Sequence, residues 1–106
     1  MKLLSTIYRD KNVNSEGKTF LREAVRGIIL REKKLLMIYS TVNGDYKLPG
    51  GGIDLGESHH EALRREISEE CGAEMRLVTG KFGQIIEYAH AIEDRFDTYK
   101  QNSYYY

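Results

Sequence analysis

Along the chain, apolar residues come in short runs of strand length broken by turn residues, except in one place where they recur at helical spacing. Leu3 to Tyr8 reads as a strand, an edge strand or mobile arm, followed by a turn-rich segment from Asp10 to Gly17. Arg22 to Arg31 carries Ala24, Val25, Ile28, Ile29 and Leu30 and predicts a largely buried strand interrupted at Gly27. A charged turn, Arg31 to Lys34, then leads to Leu35 to Ser40, so a hairpin is expected. Asn43-Gly44 marks a further turn before Asp45 to Leu48 enters a glycine loop, Gly50-Gly51-Gly52. Met75 to Val78 and Phe82 to Tyr88 read as later strands, and Ser103 to Tyr106 as one that has just begun.

The helical stretch is delimited by local chemistry. Ser58 and Glu61 form a capping box, in which hydroxyl and carboxylate each take an orphan backbone N–H, so the helix starts near His59. Gly72 supplies the left-handed residue that closes it after Cys71. Leu63, Ile67 and Cys71 fall within about 80° of one another and form the buried stripe, widened by Ala62. The order strands, helix, strands predicts an α+β domain with a mixed sheet on which the helix packs.

Glu66, Glu69 and Glu70 share an adjoining arc of about 100°. Like charges at such spacings repel, and a cation is expected among them. Clustered carboxylates suit Mg²⁺ or Mn²⁺, and glycines after Pro49 let main-chain oxygens join them. A solvated acidic face explains these three residues equally well.

What precedes them changes the balance. From Gly51 to Ala73 the chain resembles the Nudix box, G-x5-E-x7-R-E-U-x-E-E-x-G-U with U a bulky aliphatic. Gly51, Glu57, Arg65, Glu66, Ile67, Glu69, Glu70 and Gly72 all fall on it, and only Ala73 departs, being smaller than the usual closing residue. The resemblance implies the α/β/α sandwich of the Nudix fold and a Mg²⁺- or Mn²⁺-dependent hydrolase cleaving the pyrophosphate bond of a nucleoside diphosphate joined to another group. It implies metal ligands at Glu66, Glu69, Glu70 and the Gly51 carbonyl, with Glu66 or Glu69 accepting the proton of the attacking water. Arg65 is then expected to orient a carboxylate from behind, and Glu57 to act electrostatically or through water at the metal. A nucleotide-sensing, non-catalytic module is the runner-up, and an interaction domain docking through its acidic helix explains less. Nudix domains usually continue with a further strand extension and helix, so the resemblance also implies that this single domain is incomplete at its C-terminus. An uncovered strand there would favour self-association into a homo-oligomer.

Other candidates carry less. His59 and His60 read as solvated first-turn residues, and Tyr88 as a strand aromatic, although it lies near a tyrosine of family members that cleave dinucleoside polyphosphates. Glu87, Glu93 and Asp94 read as solvated. No proline follows the box where ADP-ribose-cleaving members place one, and Ile53 replaces a lysine of some nucleotide-sanitising members.

With 106 residues the chain makes one domain, and its 16 Lys+Arg balance 16 Asp+Glu, leaving no field to hold a nucleic-acid polymer. Its lone cysteine, Cys71, forms no internal disulfide and reads as a small buried hydrophobe. A reducing cytoplasm fits this, and neither a signal sequence nor a membrane span is readable.

Overall fold

The computed structural model describes residues 1–106. Its centre is a five-stranded mixed sheet built from β1 (Leu3–Tyr8), β2 (Thr19–Arg26), β7 (Gly50–Gly52), β8 (Gly83–His90) and β9 (Thr98–Tyr105), in the order β1-β8-β9-β2-β7. β1 runs parallel to β8 and β9 parallel to β2, while β8–β9 and β2–β7 are antiparallel. Two small hairpins, β3 (Leu30–Arg31) with β4 (Lys34–Leu35) and β5 (Ile38–Ser40) with β6 (Asp45–Lys47), link β2 to β7. The single helix, α1 (His59–Cys71), packs on one face of the sheet; no helix is long and apolar enough to cross a membrane.

α1 has the expected ends. Ser58 accepts the Glu61 N–H, the Glu61 side chain returns to the Ser58 N–H, and Gly72 is left-handed at φ 65°. Its stripe of Ala62, Leu63 and Ile67 buries against Val25, flanked by Ile29, Ile53, Met75, Val78 and Tyr106. Fully burying a side chain such as Leu63 or Ile67 stabilises by about 1.5–3 kcal/mol, so this contact anchors helix to sheet. Cys71, at the end of the stripe, is only half-buried.

The structure corrects several expectations. β2 begins at Thr19 and ends at Arg26; beyond it Gly27 N–H bonds the Pro49 carbonyl and Ile28 N–H bonds the Tyr106 carbonyl, outside the ladder. The expected hairpin forms, turned at Glu32 and Lys33, both left-handed, but the strand expected over Leu35 to Ser40 is split, β4 stopping at Leu35 and β5 starting at Ile38. Met75 to Val78 forms no strand, although Met75 and Val78 pack on the core. The glycine loop is itself a strand: Gly50, Gly51 and Gly52 pair with Arg26, Val25 and Ala24.

The largest correction concerns Ser103 to Tyr106. Ser103 to Tyr105 end an eight-residue strand that starts at Thr98 and is paired on both sides, by β2 and by β8. The stretch Tyr99 to Asn102 masked it, since its half-buried side chains line sheet faces that are not fully covered. This run therefore presents no unpaired edge; the edges of the sheet are β1 and β7.

Candidate active site

Strand β7 and helix α1 bring the glycines under the glutamates. Gly50 has φ 143°, and Arg26 donates to its carbonyl at 2.7 Å, which fixes the strand at this point. A Cβ added to Gly51 would lie 2.6 Å from the Glu66 carboxylate, so only the bare backbone lets that carboxylate settle against the main chain. Glu70 is held from the same strand: its Oε1 accepts the Gly50 N–H at 2.9 Å, and its Oε2 lies 3.4 Å from Lys47 Nζ.

Arg65 organises the other carboxylates. Its Nε and one terminal nitrogen each donate to Glu57 at 2.9 Å, a bidentate pair. The remaining terminal nitrogen reaches Glu66 at 3.0 Å and Glu69 at 3.5 Å, and the Gly52 carbonyl accepts a further bond at 3.0 Å. The acidic arc is not bare, because Arg65 and Lys47 neutralise part of it.

No three His, Cys, Asp or Glu side chains converge as a ready-made metal cage. The donors nevertheless fit a hard divalent cation: Glu66 seated in the space that a Cβ at Gly51 would fill, with Glu69 and Glu70 on the adjoining turn.

Bonds from Arg65, and then from the Asp54 N–H, hold the Glu57 carboxyl down to about 2, while Glu57 and Glu66 hold the Arg65 guanidinium above its usual range. Between its ordinary 4.5 and about 2, Glu57 binds fewer protons folded than unfolded. Its contribution to stability is thus present above the upper value and fades as pH falls through that window. Thermal melts from pH 7 to pH 2.5 are expected to show this loss, and Glu57→Gln is expected to flatten it. An equal slope in the variant would remove Glu57 as the source.

Beside this cluster lies a cavity of about 460 Å³, lined among others by Leu21, Glu23, Ile53, Leu55, Glu57 and His59. His59 is not the solvated residue expected from its place in the first turn. Its Nδ1 is 2.7 Å from the Tyr106 hydroxyl, and its ring centroid is 4.2 Å from that of Tyr104. His60 is exposed, with its ring edge-on to Tyr106.

Tyr88 is a strand aromatic stacked on Tyr8 at 5.1 Å. Glu87 pairs with Arg9 and Glu93 with Arg95, and Asp94 is exposed, so none of the three joins the box. Sequence reasoning missed Lys47, Glu23 and Tyr104. For Glu23 a signal existed, its i, i+2 relation to the buried Val25.

A family model for the NUDIX domain matches residues 20–106. The ADP-ribose pyrophosphatase of Methanocaldococcus jannaschii is 46% identical over 52 residues, which are 46% of this chain and 31% of that protein. The RNA pyrophosphohydrolase of Ruthia magnifica subsp. Calyptogena magnifica is 39% identical over 61 residues, 57% of this chain and 32% of that protein. Each match thus spans about a third of the relative's own length. Among solved structures, the MutT NUDIX hydrolase from Burkholderia pseudomallei superposes with a TM-score of 0.60 at 25% identity, covering 81% of this chain and 66% of that one.

Proposed function

Since this chain belongs to the NUDIX family, as the match over residues 20–106 shows, we propose that it hydrolyses the pyrophosphate bond of a nucleoside diphosphate linked to another group, using Mg²⁺ or Mn²⁺. The observation that carries this reading is the seating of Glu66 on the bare backbone of Gly51 while Arg65 ties it to Glu57. A purely solvated acidic face has no use for either contact.

Glu66, Glu69, Glu70 and the Gly51 carbonyl would hold the cation. When bound, it supplies charge neutralisation for the phosphate oxygens and a lowered pKa for water. The chain's own groups do the rest. Arg65 fixes Glu57 and Glu66 in one geometry, so the carboxylates are oriented before substrate arrives. Glu69, with its side chain 58% exposed and its bond to Arg65 only 3.5 Å, is freer than Glu66, at 16%, and is the better placed of the two to accept a proton from attacking water. Lys47, beside Glu70, brings the positive charge that a phosphate chain requires.

The balance of 16 basic and 16 acidic residues supports a small substrate over a polymer. Incubating the chain with nucleotide sugars, dinucleotides, nucleoside triphosphates and a 5′-triphosphorylated RNA, in Mg²⁺ and in EDTA, tests the reading. Release of a nucleoside monophosphate from a small member of the panel, abolished by EDTA, is expected. No turnover of any member, or turnover untouched by EDTA, would defeat it, and preference for the RNA would defeat the small-molecule part.

A further inference from the structure

The cavity beside the box has an acid in its sheet wall that the proposed chemistry does not use. Along β2, Val25 points under α1, and strand alternation puts Glu23 and Leu21 on the same face, where they line the cavity. Across the β2–β9 pairing Glu23 is matched with Asn102, whose Oδ1 is buried without a partner. Tyr104, two residues on, has its hydroxyl pushed above the usual tyrosine range, by burial first and by Glu23 next. Leu21, Ile53 and Leu55 add apolar lining, and His59, its ring tilted against that of Tyr104, adds an aromatic one.

We infer that this cavity is a nucleobase subsite selective for guanine, with the Glu23 carboxylate accepting the N1–H and the exocyclic N2–H of the base. The inference rests on the nucleotide reading of the box and adds to it the identity of the base. An ionised carboxylate only accepts hydrogen bonds, through two oxygens side by side. Guanine presents two adjacent N–H donors on its pairing edge. Adenine and cytosine present a donor beside an acceptor nitrogen, and uracil a single donor between two carbonyl oxygens, which a carboxylate repels. A bidentate charge-assisted pair therefore forms with guanine alone among these four bases. Apolar lining suits the faces of the ring.

Val25 pairs with Gly51, where Glu66 is seated, and Glu23 lies two residues further along β2, about 7 Å along the backbone, so cavity and box are neighbours on one sheet face.

Calorimetric titration with GMP, AMP, CMP and UMP tests base choice without requiring catalysis. GMP is expected to bind at least about tenfold more tightly than the others, and Glu23→Gln, which replaces an acceptor by a donor amide, is expected to abolish the preference. In turnover, a GDP-linked sugar is expected to exceed its ADP-linked counterpart in kcat/KM by about a hundredfold. Equal affinities for the four monophosphates, absence of GMP binding, or a preference that survives in Glu23→Gln would overturn the inference. The wild-type ranking decides even if the variant fails to fold. Guanine-selective binding without hydrolysis would uphold the subsite and remove the enzymatic reading; hydrolysis without base preference would do the reverse.

Discussion

Replacing Glu66 by Gln is expected to lower kcat/KM by about 10²- to 10⁴-fold while leaving the fold intact. The change is close to isosteric, so the seat against Gly51 remains filled. What is lost is the negative charge that binds a cation and that strengthens the bond from Arg65 at 3.0 Å. Glu70→Gln is expected to act in the same direction, because Glu70 is held to the same strand by the Gly50 N–H. Circular dichroism separates a chemical loss from a structural one. Wild-type turnover in either folded variant would show that the acidic arc is a solvated surface.

A larger effect on stability is expected from Gly50→Ala. At φ 143° the backbone occupies a region that L side chains rarely adopt, and the added Cβ would overlap the Val25 carbonyl and come within 2.8 Å of the Arg26 Cα. Neither neighbour can yield, since both belong to the paired strand β2. Strain of this kind costs about 3 kcal/mol or more once the clash is added to the conformational term. Against a total stability of about 5–15 kcal/mol, that amounts to a fall in Tm of more than about 10 °C. Gly80→Ala is the control: its φ is not positive and nothing lies within 4 Å of the added Cβ. Equal melting temperatures for the two variants would contradict the account.

The difference between these two glycines marks what a sequence can and cannot reveal. The helix was legible to the residue, because Ser58, Glu61 and Gly72 act through bonds to their immediate neighbours. The positions of the box were legible for the same reason, as a spacing within one continuous stretch. That Gly50 to Gly52 form a strand was not, because the partner that makes them one is β2, some 25 residues earlier. Likewise the cavity beside the box draws Leu21 and Glu23 from β2 and His59 from α1, residues brought together only by the sheet order. Lys47 was passed over because nothing local links it to Glu70. The polar run Lys100 to Asn102 hid a central strand, since a sheet with one helix leaves much of its surface open and does not demand apolar residues there.

The position of β9 has a kinetic consequence. It is the seam between two ribbons, β1–β8 on one side and β2–β7 with α1 on the other, and no other strand joins them. Its parallel pairing with β2 sets Thr19 against Thr98 and Arg22 against Gln101, a separation of 79 residues. Most of the loop-closure entropy must therefore be spent before that ladder returns any free energy. The hairpins and the capped helix form from neighbours and come early, whereas the joining of the ribbons waits on a long-range search, which puts this chain among the slower folders of its size.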